Sequence, residues 1–163
     1  MQNMKEAQAH CPLPIAHCAL CIVHFAFCIL HFALIMDRQE IIERLFDHYE
    51  RPRHSGPLGD ADMVQSGGIP DCGDTVTLYL KFDTAGTGLA GLSFEGRGCT
   101  ISQAAASLLC EQLQGAPLTT VDALDDQAIF DLLGREVVRA RPRCATLALN
   151  TLKSALVRYR AGL

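Results

Sequence analysis

An α+β fold, in which helices pack on one face of a small antiparallel sheet of about three strands, is the class this sequence predicts. Residues 75–83 alternate apolar and polar side chains with period two, and a second such run at 89–95 follows after a glycine turn. The helical patterns then come in succession with no strand between them, which is not the βαβ order. With 163 residues, 49% of them hydrophobic, the chain can fill one ordinary core.

The elements follow in order. Asp37 is placed to cap a helix whose Ile41, Ile42, Leu45, Phe46 and Tyr49 share one face, and Pro52 ends it. His48 and His54 read as surface residues of that helix and the loop after it. Gly56-Pro57-Leu58-Gly59 is a loop, and residues 62–66 a short edge strand. In 75–83, Val76, Leu78, Leu80 and Phe82 face one side and Thr75, Thr77, Tyr79 and Lys81 the other. A turn at 86–88 closes an antiparallel hairpin with 89–95, where Leu92 and Phe94 point inward. Helices are expected at 100–114, bounded by Gly115-Ala116-Pro117, at 125–133, ending at Gly134, and from about 144 to 160. In the last, Ala145, Ala148, Leu152, Ala155, Leu156 and Tyr159 form the stripe laid on the sheet. That packing brings the N-termini of two helices and the turn around Cys72 to one end of the domain.

The chemistry gathers at that end. Cys72 lies in Asp71-Cys72-Gly73-Asp74, where glycine lets the chain fold so that Cys72 and Asp74 point the same way. Cys99 follows a strand and opens a helix, whose unpaired N–H groups favour a thiolate. Cys144 also opens a helix, with Arg141 and Arg143 upstream to lower the cost of negative charge. Three sulfurs and one carboxylate suit a tetrahedral zinc site or an iron-sulfur cluster. Ordinary buried cysteines are the alternative. Loop cysteines beside glycine and charge make poor core fillers, and Cys110, inside a helix, reads as packing.

Residues 1–35 form a separate segment. Histidine recurs every seven residues, at His10, His17, His24 and His31, in an apolar run that also holds Cys11, Cys18, Cys21 and Cys28. The preferred reading is a translated tandem DNA repeat with the natural start at Met36, so that the folded domain is 36–163. A membrane-associating segment and a metal-binding tract are the alternatives. A secretory signal does not fit, because Lys5 is cancelled by Glu6 and no small-x-small cleavage site stands out. Net charge is −4 and the arginines are scattered among few aromatics, so neither a nucleic-acid nor a membrane partner is expected. Thiolate ligands imply a reducing compartment, and a cytoplasmic protein is expected.

Four motifs, His48-Tyr49-Glu50-Arg51-Pro52-Arg53, Cys72-Gly73-Asp74, Gly96-Arg97-Gly98-Cys99-Thr100-Ile101-Ser102 and Cys144-Ala145-Thr146-Leu147-Ala148, resemble the iron-sulfur scaffold family of IscU, SufU and the NifU N-terminal domain. The likeness runs from about Asp37 to the C-terminus. It implies a protein that accepts sulfur from a pyridoxal-phosphate cysteine desulfurase of the SufS or IscS type. It also implies delivery to recipient proteins or a second scaffold, with Cys72, Asp74, Cys99 and Cys144 holding zinc or a transient iron-sulfur cluster.

By resemblance to SufU, Cys72 is the first candidate sulfur acceptor; by resemblance to IscU, Cys144 is the alternative. Arg143 stands where IscU-type members carry a histidine, and Cys99-Thr100-Ile101-Ser102 also resembles SufU. The interval from Cys99 to Cys144 lacks the helix-length insertion of the best-known SufU proteins. Glu136-Val137-Val138-Arg139-Ala140-Arg141 replaces the chaperone-binding Leu-Pro-Pro-Val-Lys motif of IscU, which argues against dependence on a dedicated chaperone. A zinc-dependent sulfurtransferase without stable cluster assembly is the alternative function. A hydrolase fits poorly, because four protein ligands fill a tetrahedral zinc and leave no place for water.

Overall fold

The computed structural model describes residues 38–162. The cap expected of Asp37, the proposed start at Met36 and the repeat tract of 1–35 lie outside the described residues.

The first helix, α1, is described over 38–50. Three strands follow, β1 (Met63–Ile69), β2 (Asp74–Phe82) and β3 (Leu89–Arg97), then the helices α2 (Thr100–Leu113), α3 (Leu118–Ala123), α4 (Asp126–Leu133), α5 (Arg135–Val138) and α6 (Pro142–Arg160). The sheet order is β1-β2-β3, antiparallel throughout. This is the α+β class the alternating runs predict.

Strand β2 buries Asp74, Val76, Leu78, Leu80 and Phe82 alternately with more exposed neighbours, so one face of the sheet is apolar. Helix α6 lies on β1 and β2, and α2 packs against β3 and α6. Leu78, Leu80, Leu92, Phe94, Leu109 and Leu152 fill the space between them. Each such side chain contributes about 1.5–3 kcal/mol of burial. A Cβ on Gly67 would collide with Thr151 Oγ1, so that glycine is what lets α6 approach β1 closely.

Strand β1 runs three residues beyond the expected edge strand, because its register with β2 continues from Met63↔Leu80 to Ile69↔Asp74 without interruption. The β1–β2 turn therefore falls at 70–73. Gly73 takes a positive φ of 70° there, and its N–H donates to the Ile69 carbonyl over 2.9 Å. Helix α6 begins at Pro142, so Cys144 sits inside its first turn, not at its cap.

Helix α1 departs from its expected face. Leu45 and His48 are buried and Ile41 half-buried, whereas Phe46 and Tyr49 are 52% and 43% exposed. Counting apolar spacing alone misplaces the face by ranking a histidine below a tyrosine. His48, expected at the surface, is 3% exposed. Its Nδ1 is 2.9 Å from Ser107 Oγ on α2, and its Nε2 is 3.5 Å from Glu111 Oε2. Ser107 Oγ also accepts the Arg53 N–H over 2.8 Å. Paired in this way, a polar ring is tolerable in the interior. His54 is exposed, as expected.

Candidate metal centre

Three chain segments converge at one end of the sheet. The β1–β2 turn supplies Cys72 and the first residue of β2 supplies Asp74; the end of β3 delivers Cys99 as the N-cap of α2; the first turn of α6 supplies Cys144. The ligand atoms of Asp74, Cys99 and Cys144 all lie within 4.8 Å of one another. Cys72 Sγ stands outside that set but is 3.8 Å from Cys144 Sγ. Burial grades the thiols: Cys72 is exposed, Cys99 half-buried and Cys144 buried, with 1% of its surface accessible. Cys110 is fully buried away from the cluster, and burial pushes its thiol up to about 12, as packing predicts.

Asp74 is the residue whose environment asks for a ligand. It is 3% exposed, and its Oδ1 accepts the Cys99 N–H over 3.2 Å. Its Oδ2 is buried and has no hydrogen-bond partner among the described residues. A carboxylate oxygen so placed costs free energy unless something positive meets it. Burial pushes the carboxyl pKa up, but the Cys144 and Cys99 side chains close beside it and the Cys99 N–H outweigh it. The acid therefore stays below its ordinary value of 3.8 and remains ionised. Gly98 makes room for this arrangement, since a Cβ there would stand 2.8 Å from Asp74 Cγ and 2.5 Å from Ser102 Oγ.

The two arginines before Cys144 do not act alike. Arg141 lies against Cys99 and Cys144, and the pairing raises its own pKa, so a fixed positive charge stands beside the two sulfurs. Arg143 instead turns to Asp71, with Nη1 to Oδ2 at 3.0 Å, on the exposed rim. The expectation that both ease ionisation of Cys144 is corrected by burial. In the protein without metal, burial first, then Asp74, Cys72 and Cys99, push that thiol up to about 12.

Ser102 is a site residue the sequence reading used only as part of a motif. It donates to the Cys99 carbonyl over 3.0 Å and closes the wall beside Asp74. Its signal was its place three residues after an N-cap, where a small polar side chain folds back on the helix start.

Two soft cysteine sulfurs and a buried, ionised carboxylate in one 4.8 Å set, with a third thiol at the mouth, fit a divalent metal or an iron-sulfur cluster. They suit zinc by donor type and count, and the buried Asp74 Oδ2, without a hydrogen-bond partner among the described residues, is free to meet a cation.

Comparison with known proteins agrees with this geometry. The NifU-like N terminal domain family matches residues 40–162. The zinc-dependent sulfurtransferase SufU of Bacillus subtilis is 31% identical over 135 residues, covering 72% of this chain and 90% of that protein. The iron-sulfur cluster assembly scaffold protein IscU of Haemophilus influenzae is 34% identical over 122 residues, covering 73% and 94%. Among solved structures, SufU from Fervidobacterium islandicum aligns with a TM-score of 0.59 at 29% identity, covering 70% of this chain and 94% of the other. The N-terminal NifU-like protein of Brucella abortus gives a TM-score of 0.62 at 19% identity over 74% of this chain and 94% of that one, a likeness of fold.

Proposed function

The chain belongs to the NifU-like N-terminal domain family of iron-sulfur cluster assembly scaffolds, and from that premise we propose that it accepts sulfur from a cysteine desulfurase through Cys72. Cys72, Asp74, Cys99 and Cys144 are the ligands of this reading. The observation that carries it is the buried Asp74 Oδ2, partnerless among the described residues, on a carboxylate grouped within 4.8 Å with two thiols, with a third and exposed thiol 3.8 Å from Cys144.

Access supports Cys72 over Cys144 as acceptor, since a persulfide on another protein reaches the exposed turn and not a side chain 1% accessible. In the transfer, the Cys72 thiolate attacks the terminal sulfur of the donor persulfide. A sulfur–sulfur bond forms on Cys72, the donor's sulfur–sulfur bond breaks, and the donor cysteine leaves as thiolate, with no net oxidation. Arg141 offsets negative charge on Cys99 and Cys144, while the neighbouring Cys144 and Cys99 side chains and the Cys99 N–H keep Asp74 ionised. Cys72, Asp74, Cys99 and Cys144 would hold zinc, which would supply a charge that keeps the thiols deprotonated. An iron-sulfur cluster is cargo, built on the same donors and passed to a recipient protein.

The relative named as a zinc-dependent sulfurtransferase supports a relay as second reading, and Arg143, which cannot ligate, favours it. A donor desulfurase loaded with radiolabelled persulfide tests the shared step. Label is expected on Cys72 and lost in Cys72→Ser; label on Cys144 alone overturns the assignment. Metal analysis and an absorption spectrum after incubation with desulfurase, cysteine and iron then separate the readings. A cysteine-dependent visible chromophore marks a scaffold, and stable zinc without one marks a relay.

A further inference from the structure

The two edges of the sheet are treated differently. Along β3 the outer edge is taken up: Phe94 N–H donates to the His54 carbonyl and its carbonyl accepts from Gly56, at 2.9 and 2.8 Å. Leu89 exchanges bonds with Ala116 and Gly115, and Gln114 side-chain atoms hold Leu92 N–H and the Ala90 carbonyl. Along β1 the one partner of the outer backbone among the described residues is the Gln65 side-chain amide on the Ser66 carbonyl, at 3.0 Å. Nor does β1 carry the usual protections. Its seven residues include no charge and no proline, and its register with β2 has no bulge.

Beside this edge lies a groove of about 280 Å³ between β1 and α6, with Ser66 and Gly68 on one wall and Arg143, Thr146, Asn150 and Ser154 on the other. Among the described residues its only charged lining residue is Arg143, which is 70% exposed. That residue is paired with an Asp71 that is itself 77% exposed, so the pair is weak and replaceable. We propose that the β1 edge and this groove dock an extended segment of a partner protein as a fourth strand, with a carboxylate of that segment seated on Arg143. The backbone ladder supplies affinity and the carboxylate sets the end and direction. Arg143 adjoins Cys144, and Asp71 adjoins Cys72, so the seated end lies at the thiol cluster and tethers the partner there. A second copy of this chain is the poorer occupant. Antiparallel pairing of two β1 strands sets Arg143 of one copy beside Arg158 of the other, since Arg158 holds Gln65 at the opposite end. The docking needs neither metal nor sulfur transfer, so it stands or falls separately from the function proposed above.

The test titrates the full chain into a fluorescein-labelled octapeptide of alternating threonine and valine with a terminal aspartate, and into its counterpart with a terminal lysine, read by anisotropy. The aspartate peptide is expected to bind saturably and about ten-fold more tightly than the lysine peptide. Arg143→Glu should invert that preference and Arg143→Gln abolish it, with melting temperature unchanged because the side chain is exposed. Amide hydrogen exchange should show residues 63–69 gaining protection in the complex. Absence of binding, equal affinity for both peptides, protection elsewhere, or a preference that survives Arg143→Glu overturns the proposal. A dimer in sedimentation that the aspartate peptide does not dissociate also overturns it, in favour of a second copy on this edge.

Discussion

Asp74 joins two roles that a substitution can pull apart. Its Oδ1 caps the start of α2 through the Cys99 N–H, and its Oδ2 is left for a ligand. Asp74→Ala removes a hard, exchangeable donor from a thiolate set, so zinc is expected to bind at least about ten-fold more weakly. An assembled cluster should decay more slowly, because release through carboxylate exchange is gone. Absorbance decay under anaerobic conditions and zinc competition measure the two effects; unchanged values for both would reduce Asp74 to a turn residue. Cys99 and Cys110 make a matched comparison, being on the same helix. Cys99→Ser should lose zinc affinity and keep its fold. Cys110→Ser should keep zinc and lose about 1–3 kcal/mol of stability by burying a hydroxyl without a partner. Metal competition and denaturant titration of both variants check the crossing pattern. The three cysteines and Asp74 were all legible in the sequence as a set, since glycine, helix starts and charge mark their places. What was not legible is their ranking by exposure, and hence why Cys72 is the accessible thiol.

At the scale of elements, α1 is held by the buried His48 contacts with Ser107 and Glu111 as well as by Leu45. Burial, with Arg53 adding to it, pushes the His48 pKa below its ordinary 6.5 against the pull of Glu111 and Asp47. The sign follows directly: a base whose folded pKa is depressed adds stability above 6.5, and that stability is lost as pH falls through and below it. The melting temperature is therefore expected to fall as the pH drops below about 6.5, and the fall should be smaller in His48→Gln. Equal pH dependence in the two proteins would show that another group governs the acid limb. Strand β2, the hairpin turn at 86–88 and α2, α4 and α6 were readable because period and punctuation agree there. The short α3 and α5 were not foreseen, since four to six residues give no period to detect. The face of α1 was misread because its choice rests on Ser107 and Glu111, which lie on another element.

For the whole molecule, the described core is closed by elements within 38–162, and none of the site residues lies in the heptad-repeat tract. Removal of residues 1–35 is accordingly expected to leave the circular dichroism spectrum, zinc content and sulfur acceptance of the remainder intact. An unfolded product, or one that takes up no zinc, would move the boundary. Among the described residues no helix is long and apolar enough to cross a membrane.

The sequence by itself determined the α+β class, the three strands, the principal helices and the identity of four candidate ligands. Each of these is written in local period, turn chemistry or a short motif that needs no distant neighbour. Tertiary structure alone decided that, among the described residues, Asp74 Oδ2 is orphaned and β1 keeps an open edge, that burial grades Cys72, Cys99 and Cys144, and that Arg141 meets the thiols while Arg143 turns to Asp71. These depend on how far α6 closes onto β1 at Gly67 and how the β1–β2 turn meets the ends of α2 and α6. Distance, exposure and dielectric arise only when segments far apart in the chain are packed together.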